Sequence, residues 1–291
     1  MKSQDTPRGF AFALSAYLIW GFLPFFMKAL GHIPPPEVIA HRVVWSVPIA
    51  ALVLVVRGEF GGIWPLLKQP RMLAMGAATA ALISVNWGIY VWAIGAGHAL
   101  DAALGYYINP LFSVFLGAVL LKEKLSPRQM TAIALAAIAV TLLTWEAGKL
   151  PLVALGLTVT WGFYAYLKRS LPLAANQGFM LEILIMTPFA LAYMVWNGMD
   201  GTGHFAAGST PDTVLLLACG LVTAVPLMLY ANGAKGLRLS TIGILQYISP
   251  TMILIIAILA FKEPFGTAQM LAFPMIWAAL ALYTSALMGK S

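Results

Sequence analysis

Charge is scarce in this chain. Asp, Glu, Lys and Arg make up 9% of its 291 residues, against 61% for the hydrophobic set. A soluble domain carries roughly 25% charged residues, so this one could not cover a water-facing surface of its size. Cysteine is nearly absent. Cys219 stands alone in an apolar block, which excludes an intrachain disulfide. It reads as a small packing residue, because reactive thiols need an electropositive, accessible setting. The four histidines, at 32, 41, 98 and 204, are dispersed, and none sits in an H-E-x-x-H or similar motif. No metal or other cofactor is expected. The phosphate-cradling pattern G-x-x-x-x-G-K-[ST] is also missing, so the chain should not hydrolyse ATP itself. An intramembrane enzyme would need a clustered constellation of ligands, nucleophile and base, or paired carboxylates, and none is written here. A channel remains an alternative, but no ring of acidic or basic residues suggests ion selection.

What the chain does have is length of apolar sequence. A spanning helix uses about 20 mostly apolar residues to cross a core of about 30 Å. Ten such segments fit, at roughly 9–30, 36–56, 71–95, 99–121, 127–145, 151–169, 177–197, 213–235, 239–261 and 266–288. The expected class is therefore all-α integral membrane protein, with the lipid bilayer as partner and no soluble domain. The first run could be mistaken for a signal peptide, but it extends to about Met27 and contains Trp20 and Pro24. Signal cores span about 7–15 residues. The longest connector, Gly198 to Asp212, is rich in Gly, Ser, Thr and Asp and reads as an exposed loop.

The formal net charge is +7, but the basic residues are scattered in connectors rather than gathered into a stripe that could track phosphates. No nucleic-acid partner is expected. Their placement orients the chain, since short cytoplasmic loops retain Lys and Arg. With the N-terminus inside, 13 of the 17 fall on one side, and the exceptions are Lys28, Arg42, Lys149 and Lys262. This predicts an inner-membrane protein with both termini cytoplasmic.

The halves repeat. Trp20-Gly21-Phe22 matches Trp161-Gly162-Phe163 at an offset of 141. Pro48 matches Pro188, Tyr107-Ile108-Asn109-Pro110 matches Tyr247-Ile248-Ser249-Pro250, Lys122-Glu123 matches Lys262-Glu263, and Gln129-Met130 matches Gln269-Met270, all at 140. Each half, 1–146 and 147–291, would hold five helices. Five is odd, so the second copy enters from the opposite face. Inverted repeats of this kind are a common build for secondary transporters, whose sites lie near the midplane between the halves.

Polar groups inside lipid cost several kcal/mol unless paired or facing water, so they mark candidate site residues. Asn86 lies mid-helix with Tyr90 one turn on, on the same face. Tyr107 and Asn109 precede Pro110, while Gln246, Tyr247 and Ser249 precede Pro250. Each proline removes a backbone donor, so Pro110 and Pro250 are read as kinks or gating points and their helices as cavity walls. Trp20 and Trp161 sit at interior positions, away from the interfacial belts where Trp concentrates. The plainer reading of these residues is cross-helix hydrogen bonding and packing. Trp64, Trp145 and Trp196 lie near segment ends and read as interface anchors. Three ionisable residues fall within spans: His41, Arg42 and Glu182. Snorkelling or a loop contact explains them most simply, with gating or carboxylate attraction as the functional alternative. The Lys-Glu pairs at 122–123 and 262–263 read as solvated helix ends.

The strings Trp20-Gly21, His41-Arg42-Val43-Val44-Trp45-Ser46, Asn86-Trp87 and Leu104-Gly105-Tyr106-Tyr107-Ile108-Asn109-Pro110 resemble the RarD-like branch of the EamA-type transporters, within the drug/metabolite transporter superfamily. Leu237-Arg238-Leu239-Ser240-Thr241 and Gln246-Tyr247-Ile248-Ser249-Pro250-Thr251 do so too. The resemblance implies two inverted five-helix repeats around a central cavity and export of small metabolites, often amino acids. A single well-placed carboxylate, Glu182, suggests facilitated export; a proton-coupled drug/metabolite antiporter is the alternative. Oligomeric state is left open, with a monomer sufficient for the design.

Overall fold

A computed structural model describes residues 6–120, 125–148, 150–170, 172–234, 236–237 and 245–288. It contains eleven α-helices and no strand among the described residues. They are α1 (Pro7–Ala29), α2 (Pro35–Val56), α3 (Ile63–Leu67), α4 (Pro70–Gly95), α5 (Ala99–Leu120), α6 (Pro127–Ala147), α7 (Leu152–Ser170), α8 (Ala175–Asp200), α9 (Thr210–Ala234), α10 (Ile248–Ile255) and α11 (Thr267–Met288). Seven are long and apolar enough to cross a membrane: α1, α2, α4, α5, α6, α8 and α9. Three shorter apolar stretches follow in α7, α10 with its continuation, and α11.

The helix ends follow from local chemistry. Pro7, Pro35, Pro70 and Pro127 open α1, α2, α4 and α6, where the missing N–H costs nothing and φ is already helical. Ser126 and Gln129 form a reciprocal cap at α6: Ser126 N donates to Gln129 Oε1 at 2.9 Å, and Gln129 N donates to Ser126 Oγ at 3.3 Å. At α11, Gly266 N likewise donates to Gln269 Oε1, at 3.0 Å.

Four sequence expectations change. The stretch between α2 and α4 is not a bare connector: it holds a short 3-10 turn, Phe60–Gly62, and α3. The ninth segment, expected from 239, begins outside the described residues; it is helical at Leu245, breaks at Gln246–Tyr247, resumes at Ile248 and ends in a π-helical turn, Ile256–Ala260. Pro250 therefore occupies the first turn of α10 rather than mid-helix, where its N–H would have no intrahelical acceptor anyway. The connector after α8 is not simply exposed, because Glu37 of α2 accepts from His204 N at 2.7 Å and contacts His204 Nδ1 at 2.8 Å. Glu263 is no solvated end: its carboxylate accepts from Ala99 N at 2.8 Å and Leu100 N at 2.9 Å, capping α5. Lys122 and Glu123 lie outside the described residues, as does 238–244.

The bundle is cross-braced between the two halves of the chain. Helix α1 packs on α9 and α10, α2 on α8 and α9, α4 on α7 and α8, α5 on α7 and α10, and α6 on α11. Close approach depends on glycine at several crossings. A Cβ on Gly21 would collide with Met252, and one on Gly162 would collide with Phe112. Val56, Phe189, Leu259 and Trp145 remain exposed on the outside, an apolar surface suited to lipid rather than water. Trp64 and Trp196 are exposed as well, while Cys219 is buried in the core.

Candidate functional site

Side chains from α1, α2, α4, α5, α7, α9 and α10 converge on one cavity of about 140 Å³. Trp20, Asn86, Tyr90, Asn109, Trp161, Gln246 and Ser249 line it. So does Pro250, whereas Pro110 stays within α5 and off the wall. Facing explains the set. Asn86 and Tyr90 are one turn apart on α4, and Gln246 and Ser249 are three residues apart leading into α10.

Tyr107 and Tyr247, expected in the lining, are not part of it. On α5, Tyr106 and Asn109 share the cavity face, which turns Tyr107 about 100° away. Its hydroxyl pairs with Thr251 Oγ1 at 2.7 Å, and its ring meets Phe273 edge-on at 5.9 Å. Tyr247 stacks on Tyr107 from the other side. This is a packing seam between α5, α10 and α11.

The lining residues differ in what their polar atoms do. Asn86 Nδ2 donates to Leu157 O at 3.1 Å and Thr160 Oγ1 at 2.8 Å, joining α4 to α7. Ser249 Oγ donates to Tyr17 O at 2.6 Å, joining α10 to α1. Both serve as cross-helix ties while facing the cavity. Asn109 Oδ1 and Tyr90 Oη are buried with no hydrogen-bond partner.

Among the three ionisable candidates, only Arg42 reaches the cavity. Neither snorkelling nor a loop contact describes it: the side chain runs inward to α4 and α9. His41 points elsewhere. Its Nδ1 accepts from Trp45 Nε1 at 2.9 Å, and its ring packs on Phe205 of the α8–α9 connector at 4.9 Å. Glu182 is buried beside α7, where its carboxylate takes Lys168 Nζ at 2.7 Å and the Tyr164 hydroxyl at 3.3 Å.

Sequence reasoning missed Tyr17, Trp87, Tyr106, Thr223 and Tyr230, all of which line the cavity. The 140-residue offset could have found two of them, because Tyr230 is the counterpart of Tyr90 and Tyr106 that of Gln246. Tyr17, Trp20 and Tyr230 form a triangle of rings with centroids 5.6–5.8 Å apart. Among the described residues, the lining contains no Asp or Glu. No group of three or more His, Cys, Asp or Glu among the described residues is arranged to hold a metal.

An apolar-jacketed helical bundle around a small aromatic cavity is the setting in which the comparisons with known proteins fall. The profile of the EamA-like transporter family matches this chain twice, over residues 7–145 and 149–285. The chain belongs to the EamA-like transporter family. An uncharacterized transporter of Pseudomonas aeruginosa is 42% identical, over 98% of this chain and 95% of its own. Protein RarD of Escherichia coli is 35% identical over 97% of this chain and 96% of its own. A protein of Pseudomonas aeruginosa named chloramphenicol-sensitive protein RarD is 32% identical over 94% of this chain and 93% of its own. One crystal structure superposes with a TM-score of 0.62 at 18% identity, covering 94% of this chain and 96% of that one, which shows a shared fold. The chain is thus a RarD-like member of the EamA family and a multi-pass membrane transporter.

Proposed function

We propose that this chain is a secondary transporter exporting small metabolites, amino acids or related compounds, by alternating access at the central cavity. In this reading it sits in the inner membrane as ten spanning helices, arranged as two inverted five-helix repeats with both termini cytoplasmic.

The observation that carries the reading is the pairing of cavity residues across the halves. Trp20 and Trp161 are 141 residues apart; Tyr90 and Tyr230, Asn109 and Ser249, and Tyr106 and Gln246 are each 140 apart, and all eight line the same space. A site built from equivalent positions of two opposed halves can be opened to either face by rocking one half against the other. The double family match, the exchange symmetry of the helix contacts and the matching Gly21–Met252 and Gly162–Phe112 crossings support the repeat. The cavity is smaller than the roughly 300–1,000 Å³ of drug-sized sites, which favours a small metabolite over a bulky drug.

Uncoupled export fits the carboxylates. The buried acidic residues among those described are Glu37 and Glu182, and neither lines the cavity. The test is uptake into liposomes holding the purified chain, with a panel of amino acids, with and without a pH gradient. Saturable flux that persists without the gradient is the expected result. Flux that never saturates would indicate a channel, and strict gradient dependence would indicate the proton-coupled antiporter.

A further inference from the structure

Arg42 is an oddity in this membrane bundle. The residue is 4% exposed, yet it enters no ion pair among the described residues. Both buried carboxylates are committed elsewhere: Glu37 to His204, and Glu182 to Lys168 and Tyr164. The guanidinium has only two described stabilising contacts. Its Nε donates to Thr223 Oγ1 at 3.0 Å, and its carbon lies 4.4 Å from the centre of the Trp87 ring. Nη1 is buried with no partner.

A guanidinium keeps its proton inside proteins, so the cavity wall carries a whole positive charge. An aromatic face offsets part of the cost of burying it, but an uncompensated buried charge remains strongly unfavourable. Such a residue inside a membrane protein marks a ligand pathway by default, and the unpaired Nη1 donor states what the ligand must bring. A carboxylate fits: it is planar, accepts the guanidinium fork side by side and cancels one charge with one charge. A phosphate dianion would leave an excess negative charge in a lining whose described residues offer no second cation.

We propose that Arg42 seats the carboxylate of the cargo, so that the transported class is carboxylate-bearing metabolites with an apolar body. The assignment rests on the transporter reading above. The Tyr90 hydroxyl is a second unused partner in the lining. The apolar body extends toward the Tyr17–Trp20–Tyr230 triangle. Tyr230 is seven residues beyond Thr223 on α9, about 10 Å along the helix axis. In an amino acid, the ammonium group takes the unused Asn109 Oδ1.

The test uses three solutes with one branched skeleton: 4-methylpentanoate, leucine and leucinamide. In liposomes holding the full chain, the first two compete for uptake and leucinamide does not; inorganic phosphate does not compete either. Arg42→Gln lowers carboxylate uptake about tenfold or more, the loss expected for a charged hydrogen bond. It melts no lower than the unaltered protein, because it removes an unpaired buried charge. Leucinamide transported as well as leucine, or carboxylate preference surviving in Arg42→Gln, overturns the proposal. Should that variant not fold, the unaltered protein in detergent decides. Its melting temperature rises with 4-methylpentanoate and not with 4-methylpentanamide, and equal shifts, or a shift with phosphate alone, overturn the assignment. No flux of any solute together with a carboxylate-selective melting shift sinks the transporter reading while leaving the Arg42 seat standing.

Discussion

The rings of Tyr107 and Tyr247, 140 residues apart in sequence, stack on one another with centroids 6.5 Å apart and planes 19° from parallel. One comes from α5, the other from the turn leading into α10, and the pair closes the seam where those two helices meet. Their contacts are with each other and with α10 and α11, not with the cavity.

Tyr107 should therefore behave as a packing residue. Tyr107→Phe keeps the stack and loses the Thr251 hydrogen bond, a cost of about 1 kcal/mol. Tyr107→Ala opens a hole worth about 3–5 kcal/mol. Melting in detergent measures both. Neither variant should change which solutes compete for uptake, and a shifted competition profile in Tyr107→Phe would put the ring back in the site.

Two asparagines of the cavity should part company. Asn86→Ala removes two donated bonds between α4 and α7, so melting and uptake fall together. Asn109→Ala removes an oxygen that no protein group uses, so uptake falls while melting stays within about 0.5 kcal/mol of the parent, as for substitutions away from special features. Equal loss of stability in both would show that Asn109 is a tie as well.

Glu182→Gln breaks the pair with Lys168. Stability should drop by about 1–3 kcal/mol, less than for a fully enclosed pair, because Lys168 stays partly exposed. Uptake by the surviving folded protein should remain independent of a pH gradient. Gradient-dependent uptake in the parent that vanishes in Glu182→Gln would instead make this carboxylate the proton carrier.

Topology gives a direct check on orientation. A reporter active only in the periplasm should be silent when fused after Ser291 and active when inserted near Gly203. The opposite pattern would reverse the charge-based assignment.

Much of the architecture was legible because helices write themselves in apolar length and proline position. The segment starts expected at 36, 71 and 127 fall within one residue of Pro35, Pro70 and Pro127. The site was legible where a spacing of three or four residues forced two polar groups onto one face, as with Asn86 and Tyr90. It was not legible where neighbours competed. Tyr106 and Tyr107 are chemically alike, and only the rotation of α5 against α11 decides which one meets the cavity. For Arg42 the snorkelling and loop-contact readings failed for a related reason: depth along α2 is written in the sequence, but the crossing of α4 and α9 that brings Trp87 and Thr223 to it is not. The break at Gln246–Tyr247 in the ninth segment was not legible, because apolar letters say nothing about where a helix pauses.

Gly21 and Gly162 each admit one bulky neighbour, but the two neighbours are different materials. Met252 is a jointed thioether that can re-pose as α1 slides past α10, while Phe112 is a flat plate that must swing as a unit when α7 moves over α5. Two bearings of the same shape thus run with unequal friction. Under the rocking motion proposed above, the Gly21 crossing would give way more readily than the Gly162 crossing.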